Sequence, residues 1–334
     1  MSKAKIDVLT IGNAITDILA QVDDKFLIEE NMDKGIMQLV EADRSANLYA
    51  KMPKDKIQIS GGSAANTAAG VASLGGRGAF VGKVADDEVG NFYASDLKKA
   101  GVEYETSMLE HGAASGKSMI FITPDSERTM NTYLGACHDL TQADIIEDQI
   151  GGSAITFMEG YLWDPPEAKL AFVKAAQFAH KYERAAAITL SDPFCVNRFR
   201  DEFLDLLRSK TCDYVLANVD ELKSLYQSEN LHDAVQMVAQ DAEIAAITMG
   251  ADGAMVIANG EVITVPAVKV DNIVDATGAG DLFASGFLLS IARGQDLQQA
   301  LSLGCLCASE VISHVGARPE KNLENFAKEN DLKI

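Results

Sequence analysis

Short, continuous apolar runs alternate with amphipathic stretches along most of the chain. Residues 6–12, IDVLTIG, end in glycine and read as a strand buried on both faces. The same pattern recurs at 78–84, 154–160, 185–190, 214–218 and 244–250. Helical periodicity fills the intervals at 63–74, 87–100, 165–182, 197–208 and 231–240. The third of these opens with Pro165 and Pro166, tolerated where a first helical turn needs no amide donor. Buried strands alternating with helices predict an α/β fold with a doubly wound, mostly parallel sheet flanked by helices. Such sheets bind ligands at the carboxyl ends of their strands, near Asn13, Glu159, Asp192, Asn218 and Gly250.

Two stretches break the alternation. Residues 17–40 and 106–134 have the look of short strands joined by turns, with no long helix. Together they predict a small β-sheet lid over the strand ends. Residues 1–16, 41–105 and 135–334 then form the large nucleotide- and substrate-binding body. A lid suits chemistry that must exclude water. Near the C-terminus, 253–266 predicts a hairpin turning at Asn259-Gly260. Two consecutive helices follow, at 278–292 and 296–314.

Composition narrows the function. With 49 acidic and 29 basic residues the formal net charge is −20, which argues against nucleic acid or an anionic membrane as partner. No run of ~20 apolar residues is present, and the N-terminus lacks a signal-peptide pattern, so a soluble, cytoplasmic protein is expected. The five cysteines are scattered without a CxxC, and the five histidines show no metal-ligand spacing. A dehydrogenase is disfavoured because the first strand runs into IGNAIT rather than GxGxxG.

The strongest chemical signal is VDATGAGDLFASGFL, residues 274–288. Gly278, Ala279 and Gly280 precede an apolar helix, so small residues bare the amides of a helix start and the helix dipole favours an anion there. Asp281 sits at the mouth of that site. A carboxylate beside bound phosphate is repelled by it unless it has work to do, and taking a proton from an attacking hydroxyl is such work. The near-Walker sequence at 111–118 has His111 where glycine is required and leads into a strand, so it reads as a lid hairpin.

This segment resembles the DTxGAGD signature of the ribokinase-like (PfkB) carbohydrate kinase family, with Ala276 in place of threonine. Residues 59–76, ISGGSAANTAAGVASLGG, are similar to the family's first signature, a Gly-Gly turn entering an Asn-bearing helix. The resemblance covers nearly the whole chain. It implies that Asp281 is the base and that the backbone at 278–281 is the anion hole. It places Gly61, Gly62, Ser63 and Asn66, with Asn13 and Asp17, against the acceptor. Arg128 in the lid resembles an arginine that meets the transferred phosphoryl group. Asn218 and Glu221 resemble the NxxE motif, whose glutamate organises Mg²⁺ through water. Thr248, Gly250 and Gly253 resemble the turn beside the nucleotide, where Thr277 also belongs. The resemblance implies ATP as co-substrate, Mg²⁺, and in some members an activating monovalent cation such as K⁺.

Within the family the chain resembles the adenosine kinase branch. Tyr161, Phe194 and Met37 are candidates to enclose a planar base, although Ala65 stands where eukaryotic members carry glutamine. The expected reaction is phosphorylation of a nucleoside's primary hydroxyl, adenosine to AMP. A sugar kinase for ribose, fructose or 2-keto-3-deoxygluconate is the alternative, and a non-catalytic ATP-binding regulator a further one. A monomer and a homodimer both fit this reading.

Overall fold

The computed structural model describes residues 4–125 and 127–334. Its strands, in chain order, are β1 (Ile6–Ile11), β2 (Ile15–Gln21), β3 (Met37–Leu39), β4 (Ile57–Gly61), β5 (Gly78–Val81), β6 (Glu103–Tyr104) and β7 (Gly116–Ile122). They continue with β8 (Arg128–Tyr133), β9 (Ser153–Glu159), β10 (Ala185–Thr189), β11 (Tyr214–Asn218), β12 (Ile244–Thr248), β13 (Ala254–Ala258) and β14 (Glu261–Val265). Nine of them form one sheet in the order β14-β13-β12-β11-β10-β9-β1-β5-β6. All its pairings are parallel except β12–β13 and β13–β14. The last of these pairings is the hairpin read from Asn259-Gly260, both of which have positive φ.

The strands are apolar throughout because both faces of the sheet are covered. Along β1, Leu9 and Ile11 enter one core, under the helices Pro166–Lys181, Pro193–Arg208, Val219–Tyr226 and Leu231–Asp241. Val8 enters the other, with Leu282, Phe283 and Phe287 of the helix Ala279–Ala292 and Leu303 and Leu306 of Leu297–Val311. Consecutive side chains leave a strand on opposite sides, so one apolar run serves both cores.

The remaining five strands make a second sheet, β3-β8-β7-β2-β4. One face packs Ile18, Ala20, Met119 and Phe121 against Leu27, Met32, Leu48 and Met52 from two short helical segments and their flanks. The alternate positions, Ile15, Asp17 and Ser118, turn the other way and line a cavity. One boundary differs from the sequence reading, which put 41–105 wholly in the large body: Ile57–Gly61 pairs antiparallel with β2 in the small sheet. The pairing is set by partners some 40 residues away in sequence, which local periodicity does not report. All five cysteines are buried and free. Trp163 is core, packed on Phe172 and Phe203. Among the described residues no helix is long and apolar enough to cross a membrane.

Candidate active site

The large sheet reverses its strand order between β1 and β9. The chain proceeds from β1 outward to β5 and β6, and from β9 the other way to β10, β11 and β12. A crevice opens at the carboxyl ends of the strands at such a reversal. Asn13, just past β1, and Glu159, the last residue of β9, meet there. Asn13 Nδ2 donates to Glu159 Oε1 at 3.0 Å, and the Ala64 amide donates to Oε2 at 2.9 Å. Glu159 is 2% exposed. Burial pushes its carboxyl up to about 7, against the pull of those two donors.

Above this floor lies a cavity of about 760 Å³, walled on one side by the small sheet. Asp281 projects into it from the first turn of Ala279–Ala292. The helix Ser63–Ser73 delivers two donors to that carboxylate: Ser63 Oγ to Oδ1 at 2.6 Å and Asn66 Nδ2 to Oδ2 at 2.9 Å. Thr67 Oγ1 reaches the Asp281 carbonyl at 3.1 Å, fixing the two helices together at the site. Burial raises the Asp281 pKa, while these two side chains and the charge of Arg318 oppose the rise. An ionised carboxylate has about four acceptor positions. With two filled, Asp281 is oriented and still has room for a hydroxyl proton.

The helix begins at Gly278 in the left-handed region, φ +80°. A Cβ there would lie 2.7 Å from the Cα of Ala317, so glycine is required on both counts. Gly278, Ala279 and Gly280 all face the cavity. The helix start supplies amides without intrahelical acceptors and the positive end of the dipole.

On the small-sheet side, Asp17 lines the cavity, and its carboxyl packs so closely on Gly61 that a Cβ there would sit 2.7 Å from Asp17 Cγ. Burial lifts Asp17 to about 6, with Arg318 and Arg128 opposing and Asp281 adding to the rise. At the far end, Asn218 and Glu221 form a reciprocal capping box. Asn218 N and Nδ2 donate to the Glu221 carboxylate at 3.0 and 2.6 Å, and Glu221 N donates back at 2.8 Å. Burial pushes Glu221 up to about 7.

The rim is apolar. Phe194 is 74% exposed, Met37 51% and Tyr161 43%, and all three line the cavity. Tyr161 is held by its neighbour: its amide donates to Ser191 Oγ at 3.0 Å and its hydroxyl to the Ser191 carbonyl at 3.2 Å.

The cavity therefore gathers Asn13, Asp17, Met37, Gly62, Ser63, Asn66, Tyr161, Phe194, Asn218, Glu221, Thr248, Gly250, Thr277 and residues 278–281. Three candidates lie elsewhere. Gly253 packs behind the hairpin, where a Cβ would meet Pro266 and Ala267. Gly61 acts only by making room for Asp17. Arg128 does not line the cavity; it is ion-paired with Asp275, which also accepts from the Gly316 amide at 3.0 Å and Thr277 Oγ1 at 2.6 Å. Ser63, expected against the acceptor, lines the cavity and donates to Asp281. Sequence reasoning placed Glu159 at a strand end without a role, and it left Arg318 unassigned. The only available signals were a carboxylate closing an apolar strand and a basic residue in a turn after the last long helix.

A carboxylate oriented at an anion-binding helix start, inside a cavity at the switch point of a parallel sheet, defines a small-molecule phosphotransferase. The model of the pfkB family of carbohydrate kinases matches residues 39–323, and the chain belongs to that family, whose members transfer phosphate to hydroxyl groups with ATP as co-substrate. The chain is 48% identical to the adenosine kinase of Sinorhizobium meliloti, covering 98% of this chain and 100% of that one, with a TM-score of 0.89. It is 46% identical to a probable sugar kinase protein from Rhizobium etli CFN 42, covering 99% and 100%, with a TM-score of 0.90. Among curated proteins, adenosine kinase from Saccharomyces cerevisiae is 27% identical over 92% of this chain and 95% of its own length.

Proposed function

We propose that the chain is an ATP-dependent nucleoside kinase that phosphorylates the primary hydroxyl of adenosine. The observation that carries this reading is the exposed aromatic pair Tyr161 and Phe194 on the rim of the cavity that holds Asp281. Such rings offer flat faces on which a planar base can stack. The similarity to the Sinorhizobium meliloti adenosine kinase supports it. A sugar kinase is the second reading, favoured by the probable sugar kinase of Rhizobium etli and by 27% identity to the 5-dehydro-2-deoxygluconokinase of Bacillus subtilis over 76% of this chain.

In the proposed reaction the ribose lies between Asp17, Asn13 and Asn66, with its primary hydroxyl beside Asp281. Asn13 Oδ1 and Asn66 Oδ1 are buried without partners among the described residues and are free to accept from sugar hydroxyls. As the hydroxyl oxygen attacks the γ-phosphorus, the bond from that phosphorus to the β,γ-bridging oxygen breaks and ADP leaves with its electron pair, while Asp281 takes the hydroxyl proton and the helix start at 278–281 receives the phosphoryl charge. A preorganised donor of this kind contributes ~3–4 kcal/mol to such a step. Among the described residues no group of three or more metal-ligating side chains is assembled. Glu221, a carboxylate on the cavity wall, would help hold Mg²⁺, which would supply neutralisation of phosphate charge. The small sheet is assigned the part of a lid.

Phe194→Ala tests the rim. Losing one stacking face, worth ~1–2 kcal/mol, is expected to raise the KM for adenosine ~5–30-fold with little change in kcat. An unchanged KM would take Phe194 out of the acceptor site.

A further inference from the structure

Arg318 lies outside the cavity lining, in the turn that follows the helix Leu297–Val311, yet it touches the machinery from behind. Its Nε donates to the Ser60 carbonyl at 3.1 Å, and its Nη2 donates to the same carbonyl at 2.5 Å and to Ser60 Oγ at 3.2 Å. Ser60 is itself fixed from the other side, its amide and hydroxyl both donating to Asp96 at 2.9 Å. Ser60 is on β4 opposite Thr16 of β2, one residue from Asp17. The residue before Arg318, Ala317, packs on Gly278 at the start of the helix that carries Asp281. The remaining guanidinium nitrogen, Nη1, is buried without a hydrogen-bond partner among the described residues.

We propose that Arg318 is a positioning residue for phosphoryl transfer: anchored on Ser60, it is the fixed positive charge that Asp17 and Asp281 share, and its turn links β4, the neighbour of the strand bearing Asp17, to the start of the helix bearing Asp281. This rests on the nucleoside kinase reading. Two carboxylates lining one cavity repel each other, and burial favours their neutral forms. A protonated Asp281 cannot take the hydroxyl proton, and a protonated Asp17 loses part of its capacity to accept from sugar hydroxyls. A guanidinium keeps its charge under burial and offers a rigid fork, which is what a permanent counter-charge needs.

The charged and titratable neighbours are consistent with this. The guanidinium is in electrostatic range of Tyr93 and Asp96 from the helix Glu88–Lys99, Asp17 from β2 and Asp281 from Ala279–Ala292. Arg128 on β8 also acts on Asp17, but less than Arg318 does, and it is already paired with Asp275. Arg318 is the charged group that offsets the rise at Asp281.

The sign of the effect is fixed. Removing the guanidinium raises both carboxyl pKa values, so activity is lost first at low pH. In Arg318→Gln, the acidic limb of kcat/KM for adenosine with Mg-ATP is expected to move up by about one pH unit, so the loss at pH 6 exceeds the loss at pH 9 by ~10-fold. Arg318→Lys keeps the charge but loses the fork; its limb is expected to stay within about half a unit of wild type while its KM for adenosine rises several-fold. An unmoved limb in the Gln variant, whether activity falls uniformly or stays normal, overturns the proposal. If the Gln variant does not fold, wild-type KM in the Lys variant overturns it instead. Acceptor-dependent ADP release by the wild-type enzyme in the same assay reports separately on the nucleoside kinase reading.

Discussion

Asp281→Asn is expected to lower kcat by ~10²–10⁴-fold while ATP still binds, as seen by isothermal titration of the nucleotide. The substitution is nearly isosteric, so the start of Ala279–Ala292 is kept. The amide oxygen can still accept from Ser63 or Asn66, which donate at 2.6 and 2.9 Å in the native site. What disappears is the capacity to take a proton. Because the change acts on the transfer step, the fall in kcat should exceed any rise in either KM. Turnover close to wild type would remove Asp281 from the role of base and turn attention to Glu159, the other carboxylate on the cavity floor, which burial lifts to about 7.

Gly278→Ala is expected to be nearly as damaging, by a different route. At φ +80° an alanine costs ~1–2 kcal/mol in backbone strain alone. Its Cβ would also press on Ala317 at 2.7 Å. Relief requires the helix start to move away from residues 316–318, which shifts the phosphate-facing amides and Asp281 together. A displacement of ~1 Å costs on the order of 10²-fold in rate. The expected result is kcat/KM reduced at least ~100-fold, a raised KM for ATP, and a thermal midpoint lowered by several degrees. Equal kinetics for Gly278→Ala and wild type would mean that the start of this helix does not hold the phosphates.

Much of this arrangement was legible in the sequence because it is local. The apolar runs at 6–12, 154–160, 185–190, 214–218 and 244–250 became β1, β9, β10, β11 and β12 with ends shifted by a residue or two. A strand buried on both faces writes its position into a continuous run of side chains. The turn Asn259-Gly260 and the small residues 278–280 are likewise short-range signals. What escaped depends on distant partners. β4 joined the small sheet through a register with β2, and Glu159 gained its place from Asn13 and Ala64, 146 and 95 residues away. Arg318 reaches Ser60 across 258 residues. Nothing near these residues in sequence distinguishes them from an ordinary strand end or a solvated turn. Arg128, expected at the transferred phosphoryl group, is instead held away from the cavity lining by Asp275, a partner 147 residues away.

The account is tested most directly by ADP release from purified enzyme with Mg-ATP and a panel of acceptors: adenosine, guanosine, inosine, cytidine, ribose, fructose and 2-keto-3-deoxygluconate. The predicted result is that adenosine exceeds every free sugar by at least ~100-fold in kcat/KM, since the aromatic rim rewards a base that sugars lack. A free sugar turned over faster than any nucleoside would contradict it, leaving Asp281 and the helix start in place but removing Tyr161 and Phe194 from the recognition of a base.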